Sequence, residues 1–418
     1  MANPLELPAE LLCKIFLLAQ VHVAAEFVDL NLVEENARLA VTVSQVCQHW
    51  RSAALGFAGL WVYIPYQHQH HKRIPQIKEY IERSSGQPLT LSLLLSDEVP
   101  AAPEVTPSTF DSLGQSSESS SERIPEIDML LQQHLEQAEY ICIEEPQPRA
   151  SVVVLYAHKP PCLKSLSLRC RSTSLDEHEY SILLPATSYK PFTSLEYLHL
   201  DGILSHPESV ALASNLDNLS LHTFRFPLHN TLIPSASTLT TLTPGPRVLT
   251  LVEGPFRQVV FSALKTLTLV NNPHFMKWLD TPNLHTLNMR SFTYSNFVRA
   301  LTTLIIPQET TMPKVEVLFV QLIENNDRDP MMIGHPWITP DVWMSGLCVA
   351  LPKVITVHWD VHSTRIHVLQ TWAGMLAKYG TRWAELREVI VNSEDAQKAV
   401  LRALQGSRKD LAGAIKIQ

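Results

Sequence analysis

The sequence predicts an α/β protein in which a small N-terminal helical module leads into a curved, irregular solenoid of parallel strands. Three observations carry that expectation. Apolar residues recur at helical spacing through the first sixty positions, a leucine-rich LxxLxL pattern recurs from residue 138 onward, and an acidic Pro/Ser-rich stretch separates the two.

The helical part comes first. Leu11, Leu12, Ile15, Phe16 and Ala19 follow Pro8 at the spacing of one helix face, and Pro8 suits a first turn because its missing N–H has no partner there. A second helical pattern runs from about Ala37 through Leu39, Val43, Val46, Cys47 and Trp50 to Ala54, with Gly56 and Gly59 as breakers. So few short helices cannot cover their own apolar faces. The module is expected over residues 1–60, and a strand, a helix and a strand over 61–95 connect it to the rest.

Residues 96–128 carry eight Asp and Glu against the single Arg123, and include SSESSSE from Ser116 to Glu122. Such a segment buries too little apolar surface to offset an ordering cost of roughly 1–2 kcal/mol per residue. It is expected to be a disordered insertion.

The array occupies 129–418. Its clearest units are Leu163–Leu166–Leu168, Leu195–Leu198–Leu200, Leu216–Leu219–Leu221, Leu264–Leu267–Leu269 and Leu284–Leu287–Met289. Substituted copies are Val315–Leu318–Val320, Val354–Val357–Trp359 and Leu386–Val389–Val391, with a weaker one at Ala138–Ile141–Ile143. The last two apolar positions alternate with a polar one, the period of a strand with one buried face. Leu267 and Leu269 are therefore expected in the core and Thr268 on the opposite face. Ile366, Leu369, Trp372, Leu376 and Tyr379 mark one amphipathic return helix. Strands that cannot cover their own core stack in parallel on their neighbours.

Composition narrows the function. The net charge of −8, from 41 acidic and 33 basic residues, argues against nucleic acid as a partner. Cys13, Cys47, Cys142, Cys162, Cys170 and Cys348 form no CxxC pair, which suits a reducing compartment, cytoplasmic or nuclear. The apolar stretch from Leu11 to Ala25 carries Lys14 and comes after Glu6 and Glu10, so it reads as an amphipathic helix instead of a signal peptide. No run is apolar for the roughly 18 residues of a membrane span.

Motifs of catalysis are missing: there is no GxGxxG, GxxxxGK[ST], GxSxG or HExxH. The chain therefore reads as a non-enzyme, with no cofactor and no metal assigned. His68, His70 and His71 read as a solvated loop, and His358, Asp360 and His362, with His367 beyond them, as a polar strand face. Candidate binding side chains cluster after the repeat strands: Asp201, Phe224, Phe226, Asn271, Asn272, Phe292, Tyr294, Trp359 and Asp360. The aromatic ones have core packing as their alternative.

LELPAELLCKIF from Leu5 to Phe16, LAVTVSQVCQHWRSAA from Leu39 to Ala54 and LWVYI from Leu60 together resemble the F-box motif, and YIERSSGQPLTLSL from Tyr80 to Leu93 is similar to the segment C-terminal to the motif in many fungal F-box proteins. The segment from Gln20 to Asn36 is longer than in the usual motif. The resemblance implies that Leu7, Pro8, Leu11, Ile15, Phe16, Val46 and Trp50 pack on a Skp-family adaptor, which holds a cullin. It further implies a substrate receptor of an SCF-type ubiquitin ligase, whose leucine-rich repeats hold a target protein. The alternative is an interaction scaffold outside ubiquitin transfer.

Overall fold

A computed structural model describes residues 7–20, 30–67, 74–94, 133–145, 160–170, 192–204, 215–226, 235–250, 259–305, 312–323, 346–362, 366–379, 383–404, 411 and 413–417. The insertion expected at 96–128 lies outside them, as do His68, His70 and His71. The chain divides into two units, residues 1–184 with 192–203, and residues 185–191 with 204–418. Both are α/β, and both are built on parallel strands.

The first unit contains α1 (Ala9–Ala19), α2 (Leu30–Gln45), α3 (Gln48–Gly56), β1 (Tyr63–Gln67), α4 (Ile74–Ser84), β2 (Leu89–Leu94), β3 (Ala138–Glu145), β4 (Ser165–Cys170) and β5 (Tyr197–Asp201). The five strands pair in chain order, all parallel. Ile64, Leu91, Ile141, Leu166 and Leu198 form one cross-strand row, and Tyr66, Leu93, Ile143, Leu168 and Leu200 the next. Each is at most 4% exposed, so one face of the sheet is a continuous apolar core.

Local chemistry explains the helix starts. Cys47 caps α3, its Sγ accepting from the Trp50 backbone N–H at 3.5 Å. Trp61 closes the module: its Nε1 donates to the Ala54 carbonyl at 2.8 Å, the Arg83 guanidinium lies 4.4 Å from its ring centroid, and Tyr80 meets it edge-on at 5.0 Å. The Tyr80 hydroxyl donates to the Ala37 carbonyl at 3.0 Å, joining α4 to α2.

Helix α2 begins at Leu30, about two turns before the pattern that starts near Ala37. The added turns have a task. Val33 forms a buried cluster with Cys142 of β3, with Tyr63 and Tyr140 packed against it, and Gln67 donates to the Glu34 carboxylate at 3.2 Å. Cys142 alternates with Ile141 and Ile143, so α2 covers the sheet face opposite the apolar rows.

The two-residue strand β6 (Ile203–Leu204) marks where the chain passes between units. The second unit continues with β7 (Asn218–Phe226), β8 (Thr241–Thr250), β9 (Val259–Val260), β10 (Thr266–Val270), β11 (Leu279–Asp280) and β12 (Thr286–Phe292). Then come α5 (Tyr294–Ile305), β13 (Val317–Leu322), β14 (Thr356–Val361), α6 (Ile366–Tyr379), β15 (Glu388–Val391), α7 (Glu394–Leu404) and β16 (Ile415–Ile417). Strands run in the order β7-β8-β10-β12-β13-β14-β15-β16, and short β9 pairs with β11. Leu219, Leu242, Leu267, Leu287, Leu318, Val357 and Val389 line up in register, each at most 3% exposed.

Strand β8 is a repeat that the leucine pattern does not reveal, because Pro244 stands where the third apolar residue is expected after Leu239 and Leu242. Gly245 is required there: a Cβ would come within 2.6 Å of the His222 Cα on β7. A further position also repeats. Three residues before the first leucine stands a buried residue of varied type, among them Phe192, Phe261, Thr281, Met312, Leu351 and Trp383. In several units its carbonyl accepts from the first leucine-position N–H, as Phe261 does from Leu264 at 3.4 Å and Trp383 from Leu386 at 3.2 Å. This turn aims each chain segment into its strand.

The helices of this unit pack on the apolar rows. Trp359 of β14 is 1% exposed and meets Trp372 of α6 at 5.1 Å and Phe297 of α5 at 6.0 Å between ring centroids. No described helix is long and apolar enough to cross a membrane.

Candidate functional site

Helix α1 has two apolar faces. Leu12 and Phe16, buried at 0% and 1% exposed, pack inward, and Phe16 meets Trp50 edge-on at 5.4 Å. Leu11, Ile15 and Leu18 lie on an adjacent stripe at i, i+4 and i+7 and are 45%, 42% and 86% exposed. Val46, at the turn between α2 and α3, and Leu55 of α3 are also exposed. Six of the ten large hydrophobic side chains left exposed among the described residues fall between positions 11 and 55, which singles out this module as the apolar surface.

The backbone holds the stripe in place. Pro8 is the N-cap of α1, outside the helix proper, and its carbonyl accepts from the Leu11 and Leu12 N–H groups at 3.0 and 3.1 Å. His49 Nε2 pairs with the Leu7 carbonyl at 2.7 Å, tying the entry of α1 to α3. Of the adaptor residues implied by the motif, Leu11, Ile15 and Val46 are exposed and Pro8 is exposed beside them. Leu7 and Trp50 are partly buried, and Phe16 is enclosed. Burial, helped by the charge of Glu10, pushes the Cys13 thiol up, so this face holds no activated nucleophile there.

A second surface lies in the second unit, on the sheet face opposite the apolar rows. Thr268, Asn288, Phe319, His358 and Ile390 form its central row from β10 to β15. Thr268 is only 9% exposed and its Oγ1 accepts from Asn288 Nδ2 at 3.0 Å; it faces away from the core but is not open to solvent. Beyond this row runs a polar chain: the Ser291 N–H donates to Gln321 Oε1 at 3.1 Å, Gln321 Nε2 to Asp360 Oδ2 at 2.8 Å, and Asn392 Nδ2 to Asp360 Oδ1 at 2.6 Å. The side chain of Arg290 reaches over Phe319, 5.5 Å from its centroid, and the His358 ring lies 6.0 Å from the same centroid.

Several candidate binding residues turn out to be structural. Trp359 and Phe292 are core residues: alternation places Trp359 among the apolar rows, whereas Phe292 reaches them through the register shift after Met289, where Ser291 has φ +55°. Asn272 is buried and donates to the Gly245 carbonyl at 2.9 Å, while Asn271, at φ +46°, accepts from Asn296 Nδ2 at 2.9 Å. Asp201 ends β5 half-buried, in register with Arg169. Phe224, Phe226, Tyr294 and His367 stand in β7, α5 and α6, and their side chains lie outside the described ones. Among the described residues no three His, Cys, Asp or Glu side chains come together as a metal-ligand set; both oxygens of Asp360 accept from amides.

Sequence reasoning missed the Arg290–Phe319–His358 group and the Gln321 link. The strand period placed His358 and Asp360 on one face, but only the cross-strand register brings Arg290 and Phe319 to them. Compared with known proteins, the chain matches no family model and no curated protein.

Proposed function

We propose that the chain is an F-box-type substrate receptor of an SCF ubiquitin ligase. The exposed stripe Leu11, Ile15 and Leu18, with Val46 beside it, docks on the helices of a Skp-family adaptor, and the adaptor links the chain to a cullin. The parallel-strand repeats act as an irregular, curved leucine-rich-repeat solenoid whose polar face holds a target protein. The receptor contributes proximity, raising the local concentration of a target lysine near ubiquitin carried by the rest of the complex, and needs no nucleophile of its own.

The observation that carries this reading is the stripe itself. Three large aliphatic side chains at helical spacing stay exposed beside a fully packed inner face, an arrangement completed by a partner's helix or groove. The test is affinity capture of the full chain with its stripe intact and with Ile15→Asp. Co-capture of adaptor and cullin by the intact chain alone is expected; equal capture by both contradicts the reading.

A further inference from the structure

The sheet face of β10 to β15 differs from that of β1 to β3 in one respect that bears on function. In the first unit the face opposite the apolar rows is covered by the first turns of α2, through Val33 on Cys142 and Glu34 with Gln67. In the second unit no described helix covers the corresponding face, and Asn288, Phe319, His358 and Ile390 remain partly exposed along its centre.

Two groups on that face have hydrogen-bonding capacity that no described residue uses. Arg290 is exposed and held over Phe319, and no carboxylate among the described residues pairs with it. His358 lies against the same ring, and no described residue hydrogen-bonds either of its ring nitrogens. Asp360, two residues along β14 from His358, is already engaged, since it accepts from both Gln321 and Asn392. An aromatic platform flanked by a guanidinium and an imidazole fits a carboxylate next to an apolar side chain.

We propose that this face takes an acidic segment of a partner protein, an apolar side chain lying on Phe319 and Ile390 and an adjacent Asp or Glu carboxylate meeting Arg290 and His358. The inference rests on the reading of the array as a target-holding surface. A nucleic acid backbone is the other polyanion that Arg290 could meet. Arg290, His358 and Lys416, the last already paired with Glu388, stand beside Asp360 and make no basic stripe of the kind that a run of phosphates needs.

The test uses a displayed library of random dodecapeptides selected on the full-length chain. Selected peptides are expected to be enriched in Asp or Glu next to an apolar residue. They should bind the Arg290→Gln/His358→Gln double variant roughly tenfold or more weakly, because charge-assisted hydrogen bonds are lost. Arg290→Lys, which keeps the cation, should retain part of the affinity. An empty selection, peptides without acidic enrichment, or acidic peptides bound equally by the double variant would overturn the proposal. So would Arg290-dependent binding of a mixed-sequence single-stranded oligonucleotide in preference to the peptides. Peptides that Phe319→Glu abolishes and the double variant does not touch sink the acidic assignment alone, leaving the target-holding reading in place.

Discussion

Val33 of α2 and Cys142 of β3, both fully enclosed, share one buried cluster, so the helical module and the first strands of its unit are packed together through side chains instead of being joined by a linker alone. Helices α1 to α3 are therefore not expected to hold their structure without the strands. Val33→Asp should lower unfolding free energy by several kcal/mol, since it buries an unpaired carboxylate. A peptide of residues 1–60 should show little of the helicity of α1 to α3. Circular dichroism and urea unfolding check both expectations.

Alternation along β10 makes a sided expectation. Leu267→Ala leaves a cavity in the apolar rows and should cost about 2–5 kcal/mol. Thr268→Ala loses the hydrogen bond from Asn288 and should cost only about 1 kcal/mol, somewhat more than a fully exposed threonine would. Denaturant midpoints of the two variants separate these values; equal losses would argue that both faces are core.

Gly245 gives a backbone test. A methyl group there would stand 2.6 Å from the His222 Cα and 2.8 Å from its carbonyl oxygen, so Gly245→Ala should cost roughly 1–3 kcal/mol by forcing β7 and β8 apart. Gly413, whose Cβ position meets nothing, supplies the control, and Gly413→Ala should be near neutral by thermal unfolding.

Tyr66 predicts a dependence on alkaline pH. Its side chain is enclosed, its hydroxyl has no hydrogen-bond partner among the described residues, and burial pushes its pKa up to about 12. An unfolded tyrosine titrates near 10. Below about pH 10 both states keep the proton and pH has no effect through this group. Between about pH 10 and 12 the unfolded chain releases the proton while the folded chain retains it, so stability falls as pH rises. Tyr66→Phe should shrink that fall and leave stability at neutral pH unchanged or higher, because the hydroxyl satisfies no partner. Urea titrations at neutral and alkaline pH measure both effects.

The parts of this fold that were legible in the sequence are those with a short apolar period. Leu166 and Leu168, Leu267 and Leu269, and Val357 and Trp359 each announce a strand and its buried side, and Ile366 to Tyr379 announces a helix. Strand β8 was hidden because Pro244 and Gly245 break the pattern where β7 comes closest. The buried turn position before each leucine was hidden because Phe, Thr, Met, Leu and Trp all fill it. The early start of α2 was missed because its added turns answer to Cys142, over one hundred residues away in sequence. Of the candidate surfaces, the stripe on α1 was readable from spacing, but which apolar residues face outward was not. Phe16 and Ile15 are neighbours in sequence with opposite fates, one enclosed against Trp50 and the other exposed.

This outward stripe is proposed as a docking face for a Skp-family adaptor. Titration of purified adaptor into the full-length chain, monitored by calorimetry, tests it most directly. A saturable one-to-one complex is expected, with Ile15→Asp weakening it by roughly a hundredfold or more while the melting temperature changes little, because Ile15 is already 42% exposed. No binding by the unaltered chain, or equal binding by Ile15→Asp, would contradict it.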